Sequence, residues 1–408
     1  MNDVAAAFKL VRNWRRYEAV LHPRTIRFLW HWLRGSTYLP YPPLKLHLEP
    51  TSLCNLKCPM CPQSIGANKD NGFMDMDVYR HIIDQVQGHV LEVNLFFRGE
   101  PMMHKHIGEM TSLAHEAGIK VHVNTNATTL RAKQTATLLD AGLDKLTVSF
   151  DGADKETYER MRLGAKFELT LKNVREFLVE KQRRDVPYPY TVMQVILPYD
   201  PTATRPETPH GMRELFAGLP VEEYDTRWAH GWAGTMMENP VAQPEQYGPN
   251  YHPCNWLWKS MAIYWNGEVV SCCADFAGEQ VVGNLLEQSL MEIWNGPDLI
   301  KLRQLQVQGR YREASLCSGC DALWQQDSAS WKVFDGVGAT ADRLSPSEAT
   351  WRHKTVPPRP AVVSEERTVT PNEAPFSEPV PSVNGAALTN GKPASAAASA
   401  TSRRGTND

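Results

Sequence analysis

The chain has 408 residues and a formal net charge of −3, with 42% hydrophobic and 22% charged residues. That length holds two or three domains with cores that need no staples, and the near-balanced charge argues against bulk nucleic-acid binding. Its eight cysteines are too sparse for a small disulfide scaffold, so their spacing carries more information than their number.

Residues 1–16 lack the continuous apolar core and small-residue cleavage site of a secretory signal. No run approaches the roughly 18 apolar residues of a membrane helix. The expected compartment is the cytoplasm, where thiols stay reduced and can hold metals. Residues 1–43 are rich in Arg, Trp and Leu and read as basic amphipathic helices. Lys9, Arg12, Arg15, Arg16, Arg24, Arg27 and Arg34 there outnumber Asp3 and Glu18. Such a segment commonly packs on its domain with a solvated basic face; the less common alternative is peripheral contact with a membrane surface.

Residues 44–250 alternate strand-like and helix-like patterns. Strands are expected at Leu44–Glu49, Leu91–Phe97, Lys120–Asn124, Lys145–Phe150 and Tyr190–Leu197, with helices over 77–88, 107–117, 131–141 and 168–184. Repeated β-then-α segments predict an α/β fold, a parallel sheet with helices outside. Its functional residues are expected in the loops after the carboxyl ends of the strands. Residues 251–335 form a cysteine- and tryptophan-rich region, in which Asn266-Gly267 between apolar runs predicts a two-residue hairpin. Residues 336–408 hold nine of the 29 prolines, lack hydrophobic clusters and read as a disordered tail. No internal repeat of fixed period is visible.

The first cysteine cluster is Cys54-Asn-Leu-Lys-Cys58-Pro-Met-Cys61, directly after the first expected strand. Three thiolates in one loop can wrap one metal centre. Structural zinc takes four closed ligands, so a zinc site would need a histidine to complete it. A four-iron cluster held by three cysteines leaves one iron open to a small molecule.

Cys-x3-Cys-x2-Cys at this place resembles the signature of the radical S-adenosylmethionine (SAM) enzymes. Gly99-Glu100-Pro101 after the second strand resembles that family's motif for the SAM amino group, with Glu100 a fitting partner for a cation. Thr125-Asn126 resembles the segment near the ribose, with Ala127 where glycine is usual. Ser149-Phe150-Asp151-Gly152 resembles the strand end whose serine lies near SAM. Met60 stands where the family often packs a residue on adenine. Taken singly, Asn124, Thr125 and Asn126 also read as turn residues, and Ser149 and Asp151 as a cap leading into 154–162. The resemblance covers roughly 44–200. It implies a partial (β/α)6 TIM-type barrel over 44–250 and a [4Fe-4S] cluster with an open iron site. It further implies reductive cleavage of SAM to a 5′-deoxyadenosyl radical, and a flavodoxin or ferredoxin as reductant.

The second cysteine set is Cys254, Cys272, Cys273, Cys317 and Cys320. Gly267-x4-Cys272 and Cys317-Ser-Gly-Cys320 resemble the auxiliary-cluster domain at the C-terminus of radical SAM enzymes, in its truncated twitch form rather than the full SPASM form. The spacing resembles that of the aminocyclitol dehydrogenase of butirosin biosynthesis. Cys254, Cys272, Cys317 and Cys320 suffice to close one auxiliary [4Fe-4S] cluster; zinc is the rival metal for four cysteines. Cys273 is spare: a passive buried thiol, a replacement for Cys272, or a hydrogen-atom donor that would make the enzyme an epimerase.

A closed auxiliary cluster suits electron acceptance. The expected reaction is therefore dehydrogenation or epimerisation of a small polar metabolite, sugar- or aminocyclitol-like. Asp225, Arg227 and His230 are the candidate bases, although polar loop residues are usually structural. Trp228 and Trp232 would line a pocket or stack in the core. The alternatives are a peptide-modifying maturase, for which the N-terminal segment reads as too short and too helical to be a recognition domain, and a non-catalytic zinc-binding protein.

Overall fold

The computed structural model describes residues 22–68, 70–200, 202–236, 251–320 and 323. The segment 1–21, residues 237–250 and the Pro-rich tail lie outside the described residues, and the expectations about them lie there too.

The chain enters through helix α1 (Pro23–Leu33). Strand β1 (Lys45–Leu48) leads into a long loop and α2 (Met76–Val86). Then follow β2 (Glu92–Leu95), α3 (Ile107–Glu116), β3 (Lys120–Thr125), α4 (Ala132–Asp140) and β4 (Lys145–Ser149). After them come α5 (Lys155–Met161), α6 (Phe167–Arg183), β5 (Tyr190–Leu197) and β6 (Glu223–Trp228). The C-terminal part has α7 (Trp256–Lys259), β7 (Ser260–Ile263), β8 (Glu268–Val270), β9 (Val281–Asn284), α8 (Leu290–Trp294), α9 (Pro297–Val307) and α10 (Ser315–Ser318).

All nine strands of the described residues join one sheet in the order β6-β5-β4-β3-β2-β1-β7-β8-β9. β1 to β6 are parallel in sequential order, and β7 adds parallel to β1 with Lys45 opposite Ser260. β8 and β9 continue antiparallel. Among the described residues neither β6 nor β9 has a second neighbour, so the parallel strands β1 to β6 form an open, partial barrel. The cysteine-rich region extends the same sheet from its β1 side.

Strand alternation explains the two faces. Leu46, Leu48, Val93, Leu95, Val121, Val123, Leu146, Val148, Met193 and Val195 are buried on one side. They meet the apolar stripes of the helices, such as Tyr79, Ile82 and Val86 of α2 and Val174, Phe177 and Leu178 of α6. Each such aliphatic side chain contributes about 1.5–3 kcal/mol on burial. Asp75 and Asp154 cap α2 and α5 by accepting from the Asp77 and Thr157 N–H groups.

The five expected strands and four expected helices are present, with no end shifted by more than two residues. β6 was not expected. Its sequence, Glu-Tyr-Asp-Thr-Arg-Trp, has no apolar run, because an edge strand half-open to solvent needs none. The hairpin also differs from expectation. Gly267 N–H donates to the Tyr264 carbonyl and Tyr264 N–H to the Glu268 carbonyl, so the loop has three residues, Trp265 to Gly267. Gly267 sits at φ +84°, the left-handed position of a turn closed by a bulge rather than of a two-residue turn.

Helix α1 is tied to the cysteine-rich region. Trp32 Nε1 donates to the Pro253 carbonyl at 3.1 Å, and Tyr41 Oη to the Trp258 carbonyl at 3.0 Å. Buried Arg303 donates to the carbonyls of Leu257 and Thr37, and burial lowers its pKa to about 9.

Candidate iron–sulfur and SAM site

Cys54, Cys58 and Cys61 occupy the loop between β1 and α2, at the carboxyl end of the sheet. Cys58 is buried and the other two are half-buried. Burial pushes the thiol of Cys54 up to about 12 and that of Cys61 to about 11, and raises Cys58 as well. A buried thiolate is costly unless something offsets its charge. Two side-chain donors lie against these sulfurs: Asn126 Nδ2 at 3.9 Å from Cys54 Sγ, and Arg162 at 3.8 Å from Cys58 Sγ. Soft thiolates in a partly dry loop, with polar donors aimed at sulfur, fit an iron–sulfur cluster.

The motifs after β2 and β3 form the frame of this loop. An added Cβ at Gly99 would lie 2.2 Å from the Thr51 carbonyl and 2.4 Å from that of Leu53. Only glycine permits the approach, and Glu100 N–H then donates to Leu53 O at 2.8 Å. The buried Glu100 carboxylate accepts from Thr125 Oγ1 at 2.6 Å, Asn126 N–H at 2.7 Å and Met102 N–H at 3.0 Å. Burial, first among its influences, raises its pKa against these three bonds. Glu100 thus fastens the loop after β2 to the loop after β3, and Pro101 starts the short turn that follows. Asn126 also donates to Asn55 Oδ1 at 3.0 Å. Ala127, buried, takes the left-handed φ of +57°, the conformation that glycine adopts without strain. Ser149 Oγ donates to Asn124 Oδ1 at 3.0 Å.

Arg162 was not singled out in the sequence, and Asp151 was noted only within the strand-end motif beside Ser149. Asp151 has no exposed surface and pairs with Arg162 Nε at 2.5 Å. The carboxylate also accepts from Ile196 N–H. Arg162, at the end of α5, thereby reaches Cys58 from a fixed direction. The signal was present in Asp151 itself, three residues before the helix cap at Asp154 and too early to serve as that cap.

The loop after β6 closes over the cluster loop. Trp232 Nε1 donates to the Met60 carbonyl at 3.0 Å, and its ring meets Phe276 edge-on at 5.7 Å. His230 accepts from Trp232 N–H and its ring lies 4.7 Å from the indole. Trp228 packs edge-on against Tyr199. Asp225 and Arg227 pair at 2.8 Å on β6, opposite Gln194 and Ile196 of β5.

That register puts them on the face of the sheet away from the helices, and this face is polar. Lys45 pairs with Glu92 at 2.8 Å, Asn94 is 3.1 Å from His47, His122 is 2.8 Å from Thr147, and Gln194 lies next to Asp225. Burial and the nearby lysines hold the His122 pKa well below its ordinary value. Above this wall, Arg98 makes a buried bidentate pair with Glu49 at 2.6 and 2.8 Å and lies over the Tyr264 ring at 3.6 Å. The pair joins β1 and the loop after β2 to the hairpin.

The second thiol set is gathered from three segments. Cys272 and Cys317 lie close enough to Cys254 to raise its thiol pKa beyond the effect of burial, and Cys272 does the same to Cys317. Cys254 and Cys317 are each pushed up to about 12, chiefly by burial. Buried Gln306 accepts from Cys254 N–H at 3.2 Å, and its carbonyl accepts from Tyr251 Oη at 2.6 Å. Ala274 N–H donates to Cys272 Sγ at 3.3 Å. Cys273 is half-buried and hydrogen-bonds with Cys272. Cys320 follows Cys317 on the turn after α10, its N–H donating to the Cys317 carbonyl. The donors are all thiols, the ligand type of an iron–sulfur cluster, and among the described residues no three of them stand in a ready metal-holding arrangement.

Residues 48–199 match the radical SAM superfamily, and residues 254–321 match the SPASM iron–sulfur cluster-binding domain. The PqqA peptide cyclase of Xanthomonas axonopodis pv. citri is 25% identical over 362 residues, covering 79% of this chain and 94% of that protein. The AdoMet-dependent heme synthase of Methanosarcina barkeri is 32% identical over 127 residues, 31% of this chain and 36% of that protein. Among solved structures, Streptococcus suis SuiB bound to its precursor peptide SuiA has a TM-score of 0.54 at 15% identity, covering 79% of this chain and 80% of SuiB. That likeness is one of fold.

Proposed function

Because the chain carries a radical SAM domain followed by a SPASM iron–sulfur domain, and so is a radical SAM enzyme, we propose that it oxidises or epimerises a small polar metabolite, with one auxiliary [4Fe-4S] cluster as electron acceptor. The observation that carries the substrate class is the polar face of the sheet, which His47, Asn94, His122, Thr147, Gln194 and Asp225 share. Such a wall recognises hydroxyl and amino groups by hydrogen bonding and rejects apolar substrates by desolvation.

Cys54, Cys58 and Cys61 would hold the open cluster, and Cys254, Cys272, Cys317 and Cys320 the closed one. Bound together, cluster and SAM supply a 5′-deoxyadenosyl radical that abstracts a hydrogen atom. The chain's own residues place and protect that event. Met60 and Trp232 cover the loop and exclude water. Glu100 keeps the loops after β2 and β3 in register around SAM, and Thr125, Asn126 and Ser149 complete its cradle. Asp225, ion-paired with Arg227 at 2.8 Å, takes the proton that a net oxidation releases, while His230 acts with Trp232 as part of the cover. A passive Cys273 corresponds to dehydrogenation and a hydrogen-donating Cys273 to epimerisation.

One observation favours a second reading, modification of a peptide. A relative named a peptide cyclase aligns with most of this chain and nearly all of its own length.

The test is product analysis with the anaerobically prepared enzyme, reductant, SAM and deuterated candidate polyols or aminocyclitols. Deuterium in 5′-deoxyadenosine with an oxidised or epimerised product is expected. Asp225→Asn should slow product formation by about 100-fold or more while SAM cleavage persists. Deuterium transfer only from a short peptide would overturn the small-molecule reading.

A further inference from the structure

Helix α1 is apolar on two sides. Phe28 and Trp32 face the core and are fully buried. Ile26, Trp30 and Leu33, at spacings of four and three, form a second stripe that is 52%, 58% and 47% exposed. Tyr38, just beyond the helix, is 62% exposed. Large apolar residues exposed singly are ordinary, but a contiguous stripe on one helix face marks a contact surface.

The charge around the stripe says what the contact is. Arg27 and Arg34 lie on one flank of it at helical spacing and are exposed. The Arg34 guanidinium sits over the Trp30 ring at 4.7 Å. Residues 22–43 contain no acidic residue at all, and the preceding segment adds Lys9, Arg12, Arg15 and Arg16 against Asp3 and Glu18. The whole chain is nonetheless net acidic, so this end is net positive where the rest is net negative. Arg24 is already used: it donates to the carbonyls of Gly88 and His89 and fastens the helix to the body.

We propose that this face docks on an anionic lipid surface. Trp30 and Tyr38 have the amphipathic rings that settle at the headgroup level, Ile26 and Leu33 enter the acyl boundary, and Arg27 and Arg34 meet lipid phosphates. No described helix is long and apolar enough to cross a membrane, so the contact is peripheral. The buried stripe keeps α1 fixed to the cysteine-rich region, which brings the enzyme body to the surface. A second copy of this chain is a poorer occupant, because a two-fold contact would set Arg27 and Arg34 against their own copies with no acid among 22–43 to pair with them.

The full-length protein is sedimented with phosphatidylcholine vesicles and with vesicles containing about one third phosphatidylglycerol. Binding only to the anionic vesicles, weakened by salt, is expected. Trp30→Glu should lower the partition coefficient by about tenfold or more, as should Arg27→Glu combined with Arg34→Glu. SAM cleavage and thermal stability report that these variants remain folded. Equal binding to neutral vesicles, no binding, or binding unchanged by Trp30→Glu would overturn the proposal. So would concentration-dependent dimerisation lost in Trp30→Glu without any vesicle binding.

Discussion

The two thiol sets are built in opposite ways. Cys54, Cys58 and Cys61 come from one loop, and the chain around them is fixed by neighbours that are not themselves thiols: Glu100, Asn126, Asp151 and Arg162. Cys254, Cys272 and Cys317 come from three separate segments and are brought together only when β7 pairs with β1 and α9 lies beneath. The first arrangement keeps its loop placed by polar ties from three strand ends, as suits a site that must admit SAM. The second is a product of tertiary packing.

Disturbing one region at a time sharpens the contrast. The largest effect is expected from Asp151→Asn, which leaves the Arg162 cation buried without its counter-ion. Breaking a buried pair in this way should cost about 3–5 kcal/mol, read as a lower midpoint in urea unfolding. Arg162 would also lose its fixed approach to Cys58, so the open cluster should bind iron less tightly while the auxiliary set keeps its own. A smaller effect is expected from Gln306→Leu. Tyr251 keeps the backbone carbonyl as its acceptor, but Cys254 N–H loses its partner, a cost of about 1–3 kcal/mol. Here the auxiliary iron should become labile, with 5′-deoxyadenosine formation in the absence of substrate unchanged. If Gln306→Leu abolished SAM cleavage and Asp151→Asn spared it, the two regions would have to exchange roles.

The same contrast explains what could be read from the sequence. The βα alternation and the three-cysteine loop are local patterns, and the strands from Leu44–Glu49 to Tyr190–Leu197 stand close to where periodicity put them. β6 escaped because its residues face a polar wall and an open edge, so no apolar run announces it. The functions of Gly99 and Glu100 were only half legible: the motif marked the place, while the reason for glycine is the backbone of Thr51 and Leu53 lying where a side chain would be. Arg162 could not be found at all by spacing, since its contact with Cys58 spans over one hundred residues of chain. The parallel pairing of β7 with β1 was equally invisible, because both strands look the same locally whichever partner they take.

Metal content distinguishes two iron–sulfur clusters from any other use of these thiols. Iron and acid-labile sulfide should be measured in the anaerobically purified chain, in Cys58→Ala and in Cys272→Ala. Two clusters predict about eight irons and eight sulfides in the parent chain and about four of each in either variant, with SAM cleavage lost in Cys58→Ala alone. Zinc without sulfide, or the loss of all iron in both variants, would contradict two independent iron–sulfur clusters.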